Sequence, residues 1–193
     1  MLAPGASASR DQPALVAIAQ AASAAGFAVR RLDFPYRLAG RRAPDRPAVL
    51  VSTVVMEAGS LASETGLAPL RVFVGGRSMG GRICSMAVAA GLPAAGLVLV
   101  SYPLHPPGRP DRLRTEHFGS LEVPCLFVSG TSDAFAAPGE LEAELAAIPG
   151  PVTVRWLEGG DHGLRRRDAE VAEAVADWMA SQRRSLQTRP SEV

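Results

Sequence analysis

The stretch Arg71-Val72-Phe73-Val74-Gly75-Gly76-Arg77-Ser78-Met79-Gly80-Gly81-Arg82-Ile83 passes from a short apolar run, through Gly-x-Ser-x-Gly, into a second apolar run at helical spacing. This order predicts a strand that turns at once into a helix. Gly76 and Gly80 lack a Cβ, so the backbone can turn sharply and hold Ser78 in a strained conformation. The Ser78 hydroxyl then stands clear of the sheet edge. The amide of Met79 lies at the helix N-terminus, where an oxyanion is stabilised.

On either side of this stretch, strand-like and helix-like runs alternate, which favours a mostly parallel sheet with helices on both faces. Met1-Leu2-Ala3 reads as the stub of a strand that ends in the turn Pro4-Gly5-Ala6. A helix is expected over 13–25, with Leu15, Ile18, Ala19 and Ala22 on one face and Gly26 as its stop. Residues 27–34 read as the next strand. Asp45 reads as an N-cap and Pro47 as a first-turn proline, opening a helix to residue 64. Further strands are expected over 71–74, 96–101, 123–129 and 152–157, with helices over 79–90, 138–148 and 165–184. The runs 96–101 and 123–128 are nearly continuous in apolar residues, as in strands covered on both faces. The expectation is one domain over 1–184, with a sheet of five or six strands, and a flexible tail over 185–193.

Composition narrows the function classes. The chain has 193 residues, enough for one domain with a sizeable core. The formal net charge is +1, which leaves no footprint for nucleic acid or an anionic membrane. There is no lysine, so a Schiff-base or P-loop lysine is excluded. Cys84 and Cys125 fall in apolar runs and read as reduced core residues, which with no recognisable signal peptide points to the cytoplasm. The three histidines, His105, His117 and His162, have no metal-ligand spacing, and no cofactor or metal is implied. No run is long enough to span a bilayer.

In an open α/β sheet, chemistry collects beyond the carboxyl ends of the strands. Ser78 follows the strand at 71–74, Asp133 follows the one at 123–129, and His162 follows the one at 152–157. Serine is a weak nucleophile at neutral pH and needs a base within reach. Histidine can take its proton and later return it to a leaving group. A carboxylate on the other ring nitrogen fixes the tautomer and stabilises the imidazolium. Asp161 is a second candidate acid, although adjacent side chains in such a turn diverge. His105 precedes Asp133 and breaks the chain order, so it reads as a lining residue, and His117 as a structural or rim residue. Arg77, Arg82, Arg109 and Arg112 lie near this edge, where they read as solvated or structurally paired arginines, or one of them meets a substrate carboxylate.

Over about residues 3–180 the chain resembles the α/β-hydrolase superfamily, in particular the dienelactone-hydrolase-like and testis-expressed-protein-30-like group. The resemblance rests on Phe34-Pro35-Tyr36, Gly75 to Arg82, Tyr102 to Gly108, Arg114-Thr115-Glu116-His117 and Gly130-Thr131-Ser132-Asp133. It implies that Ser78, Asp133 and His162 occupy the catalytic positions and that the amides of Met79 and Ala6 form the oxyanion hole. The implied activity is hydrolysis of a small carboxylic ester or thioester through an acyl-serine. Acyl transfer to another acceptor uses the same residues. The rival expectation is a non-catalytic scaffold or interaction protein on the same fold. Dienelactone hydrolases proper carry a cysteine nucleophile, so their substrate does not transfer to a chain with Ser78. The group has His-Gly-Ala where this chain has Pro4-Gly5-Ala6, and Pro4 lacks a backbone donor. The strands that precede this turn in the superfamily do not precede it here, so an N-terminally reduced fold is expected. Residues 102–122 are too few for a cap domain, so the site is expected to be open.

Overall fold

The structure, a computed structural model, describes residues 1–106 and 108–188, the side chain of Thr188 excepted. Five strands form one parallel sheet in chain order: β1 (Leu2–Ala3), β2 (Phe73–Arg77), β3 (Gly96–Val100), β4 (Cys125–Gly130) and β5 (Val152–Leu157). The helices are α1 (Pro13–Ala24), α2 (Pro35–Leu38), α3 (Pro47–Thr65), α4 (Met79–Ala89), α5 (Pro138–Leu145) and α6 (Asp168–Thr188). Short 3-10 turns cover Pro69–Arg71 and Phe118–Ser120.

The two-residue period of a strand divides the core between the faces. Leu97, Leu99, Cys125 and Phe127 join one apolar cluster, with Leu50 and Val54 of α3, Ile83 and Cys84 of α4, and Leu141 and Leu145 of α5. Val98, Val100, Leu126 and Val128 join the other, with Leu15 and Ile18 of α1 and Val171, Val175 and Trp178 of α6. Helices α4 and α5 join neighbouring strands running in one direction across the sheet. Right-handed crossovers therefore place both on the same face. The β5 edge is half covered, with Thr153 and Arg155 exposed, and a charged outward residue discourages pairing with another chain.

Several local expectations need correction. Residues 27–34 do not form a strand. They run extended and make one bridge, Leu2 with Arg31, through Leu2 N–H to Arg30 O at 2.8 Å and Leu32 N–H to Leu2 O at 3.0 Å. The next residue after β1 is Pro4, which has no N–H to continue a ladder. Asp45 does not cap α3. Arg46 occupies the N-cap, because a residue before proline is held extended, and the Asp45 carboxylate instead binds Arg41 at 2.7 Å. The strand expected at 71–74 starts two residues later and reaches Arg77, after the 3-10 turn. Helix α6 starts at Asp168 and continues through Thr188, so residues 185–188 of the expected tail are helical; 189–193 lie outside the described residues.

Candidate active site

Ser78 lies between β2 and α4 with φ 51° and ψ −120°. A non-glycine residue with this backbone costs on the order of 1–3 kcal/mol and persists only where its surroundings impose it. Here Ser78 N–H donates to Val100 O at 2.8 Å, and Arg82 N–H donates to Ser78 O at 3.1 Å. The sheet thus holds one side of the turn and the first helical bond holds the other. Gly76 and Gly80 do not carry the positive φ themselves. The role of Gly80 is close approach: a Cβ there would lie 2.2 Å from Ala3 O. Its absence lets the start of α4 press against the end of β1, beside the turn at Ala6.

Ser78 Oγ is 2.9 Å from His162 Nε2. His162 Nδ1 is 2.8 Å from Asp133 Oδ2 and 3.0 Å from Oδ1. Asp133 is 2% exposed, and its Oδ1 also accepts the Phe135 N–H at 2.8 Å. The carboxylate is therefore buried but bonded on two sides, as a buried charge requires. The loops bearing Asp133 and His162 touch because Gly130 is a glycine: a Cβ there would lie 2.1 Å from Gly160 O. Asp161 is exposed and makes no bond to the imidazole among the described residues.

Two groups that hold His162 were not identified from sequence. Phe135 stacks on the imidazole at 4.1 Å between ring centroids and 25° between planes. Arg77 donates from Nη2 to His162 O at 2.6 Å. Burial pushes the Arg77 guanidinium down from its ordinary value, and the carboxylates of Asp168, Asp133 and Asp161 act in the opposite sense. Arg77 is thus committed to the histidine loop rather than offered to a ligand. The next-but-one spacing of Asp133 and Phe135 was legible in the sequence; the ring stacking depends on the tertiary fold.

Met79 and Ala6 border one cleft with Ser78. Met79 N–H is the first of α4 and has no intrahelical partner. No intramolecular acceptor is found for Ala6 N–H among the described residues. Tyr36 Oη, on a side chain buried beneath this turn, donates to Ala6 O at 2.5 Å. Gly5 N–H donates to Gln12 Oε1 at 3.1 Å. The turn is therefore held from below by Tyr36 and from the side by α1's N-cap residue, although Pro4 contributes no donor. The cleft measures about 350 Å³, and Arg82, Arg114 and Phe135 complete its wall.

The other histidines are engaged elsewhere. His105 is buried, with Nδ1 2.9 Å from Pro106 O and Nε2 3.6 Å from Glu140. His117 Nε2 is 2.7 Å from Ser85 Oγ. Arg109 and Arg112 are exposed on the segment between β3 and β4. Among the described residues no His, Cys, Asp and Glu side chains cluster to hold a metal, and no helix is long and apolar enough to cross a membrane.

A family profile described as an alpha/beta hydrolase domain matches residues 1–188. The chain belongs to the α/β-hydrolase family. Solved structures share its fold at low sequence identity. Est1E from Butyrivibrio proteoclasticus superposes with a TM-score of 0.77 at 14% identity, covering 95% of this chain and 87% of that one. A dienelactone hydrolase from Anabaena variabilis gives 0.73 at 20% identity, covering 95% and 84%. A hydrolase of the α/β superfamily from Xanthomonas campestris gives 0.70 at 22% identity, covering 93% and 96%. As in the sequence-based expectation, this α/β-hydrolase domain has a five-stranded parallel sheet flanked by helices. Between β3 and β4 the described residues hold only the 3-10 turn at Phe118–Ser120.

Proposed function

We propose that this α/β hydrolase is a serine hydrolase of a small carboxylic ester or thioester, acting through an acyl-serine at Ser78. The observation that carries the reading is the chain of contacts from Ser78 Oγ to His162 Nε2 at 2.9 Å and from His162 Nδ1 to Asp133 at 2.8 Å. Nε2 accepts the hydroxyl proton as Oγ attacks the acyl carbon. The oxyanion that forms is met by the N–H groups of Met79 and Ala6. The tetrahedral species collapses, the C–O or C–S bond breaks, and Nε2 returns the proton to the leaving alcohol or thiol. Water then attacks the acyl-serine with Nε2 again as base, and the carboxylic acid leaves as Ser78 recovers its proton. Asp133 remains ionised throughout, holding the Nδ1–H tautomer and stabilising the imidazolium. The open cleft supports small substrates and admits the hydrolytic water. The dienelactone hydrolase among the structural neighbours is named for hydrolysis of a cyclic ester, which supports ester chemistry here.

The test is active-site labelling. A fluorophosphonate is expected to add once per chain and to be absent from Ser78→Ala. Turnover of 4-nitrophenyl acetate is expected to fall by roughly 10⁴–10⁶ in the same variant. Equal labelling of the variant, or no labelling and no turnover by the wild type, overturns the reading; the second result favours a non-catalytic scaffold.

A further inference from the structure

Two arginines on the cleft wall, Arg82 and Arg114, make no ion pair among the described residues. Arg82 lies one helical turn after the nucleophile, and its Nε is buried without a hydrogen bond. Arg114 enters from the segment between β3 and β4 and borders the same cleft. Its backbone is pinned on both sides: Arg114 N–H donates to Leu104 O at 2.8 Å, and Tyr102 Oη donates to Arg114 O at 2.7 Å. The guanidinium therefore projects from a fixed point, where less freedom is lost when it binds.

We propose that Arg82 and Arg114 form an oxyanion-recognition subsite, and that the ester cleaved at Ser78 carries a carboxylate close to its scissile carbonyl. This rests on the serine-hydrolase reading for the identity of the cleaved bond, but not for the binding of the anion. A guanidinium fork matches the geometry of a carboxylate, and two forks in one cleft can clamp it.

The surrounding carboxylates offset this positive pair only in part. Asp45 also borders the cleft, but Arg41 already binds its carboxylate at 2.7 Å. Glu116 acts on Arg114 only through space: it is exposed, and no hydrogen bond or ion pair joins it to either arginine among the described residues. His117, behind Arg82, is pushed down to about 4 by burial and then by the Arg82 charge, so it is neutral at neutral pH. Burial, followed by the charge of Arg82, also holds the Arg114 guanidinium below its ordinary value. A bound anion relieves both the desolvation and the mutual repulsion of the pair. Arginines serving only as surface solubilisers would be fully solvated, whereas both of these are partly buried beside the nucleophile.

The experiment compares kcat/KM for 4-nitrophenyl hemiglutarate with that for 4-nitrophenyl pentanoate, a neutral ester of similar length. A second pair, 4-acetoxybenzoate and phenyl acetate, places the charge on the leaving group instead. The wild type is expected to prefer the charged member of one pair by roughly tenfold to a hundredfold, the worth of a charged hydrogen bond. Arg82→Met and Arg114→Met are each expected to bring that ratio towards one, and Arg82→Lys to restore part of it. Thermal melting checks that the variants are folded. Calorimetry with glutarate, and with inorganic phosphate as a second oxyanion, measures the subsite without turnover. Binding is expected to weaken at least tenfold in both Met variants. No preference for either charged ester together with no glutarate binding overturns the proposal, as does a preference that survives both Met substitutions. Glutarate binding that depends on both arginines, in a protein that a fluorophosphonate does not label, upholds the subsite and rejects the serine-hydrolase reading.

Discussion

The single contact that best shows how a distant side chain reaches the candidate chemistry is Tyr36 Oη to Ala6 O at 2.5 Å. Tyr36 touches no reacting atom. It is fully buried, and burial pushes its phenol up from the ordinary value, so it stays a donor at any working pH. By holding the Ala6 carbonyl it restrains the turn that borders the cleft. Tyr36→Phe keeps the packing and removes the bond. Losing an oxyanion donor outright costs about 10²–10³ in rate, so loosening one is expected to cost less, roughly tenfold. On the proposed reading of Ala6 as an oxyanion donor, the loss should fall on kcat rather than KM, because such a donor acts on charge that develops during reaction. Steady-state kinetics of Tyr36→Phe with an activated ester checks this. A changed KM with an unchanged kcat would mean that the tyrosine shapes the cleft instead.

At the scale of elements, α4 couples Ser78 to the segment that borders the cleft. Ser85, on the turn of α4 after Arg82, bonds His117 at 2.7 Å, and His117 leads into the 3-10 turn at Phe118–Ser120. Burial and the Arg82 charge lower the His117 pKa from 6.5 to about 4. Between those values the unfolded chain binds more protons at this position than the folded one. Stability therefore rises with pH across that window: it is intact above about 6.5 and declines as pH falls towards 4. His117→Gln can keep a bond to Ser85 but has no proton to gain. The drop in melting temperature between pH 7.5 and pH 5 is accordingly expected to be smaller in the variant, by roughly the share of one titrating group. Identical slopes for the two proteins would show that His117 does not titrate in this way.

Over the whole molecule, the two apolar clusters close both faces of the sheet, and the cysteines lie within one of them. Cys84 and Cys125 are both 0% exposed and unpaired, and burial pushes both thiols up to about 12. The thiolate is the reactive species, so neither side chain is a nucleophile in the native state. Ellman's reagent is expected to modify neither cysteine in the folded protein and both in guanidinium. Modification at neutral pH without denaturant, faster than global unfolding, would mean that α4 or β4 opens locally. The same core gives a contrast in stability. Leu97→Ala removes a fully buried side chain and should cost about 2–5 kcal/mol, whereas Leu38→Ala, at a largely exposed position, should stay within about 0.5 kcal/mol. Urea denaturation of the two variants compares them directly.

Much of this architecture was legible in the chain alone. The alternation in Leu97-Val98-Leu99-Val100 states that both faces of that strand are covered, because successive side chains point opposite ways whatever surrounds them. The sharp turn at Ser78 and the placing of Asp133 and His162 just beyond strands are likewise local properties. Other features had no local signature. The run 27–34 has the pattern of a full strand, which does not reveal that Pro4 ends the β1 edge with which it pairs. Arg77, Arg82, Arg109 and Arg112 are indistinguishable in sequence, yet folding assigns Arg77 to a histidine loop, leaves Arg109 and Arg112 in solvent and places Arg82 on the cleft, joined there by Arg114, which the sequence did not single out for the edge. Local pattern sets period, turns and caps, because those depend on residues a few positions apart. Which side chains meet across intervals such as 78 to 162 or 6 to 36 is settled by strand order and by how closely the glycines let backbones approach, and that is decided only when the sheet is assembled.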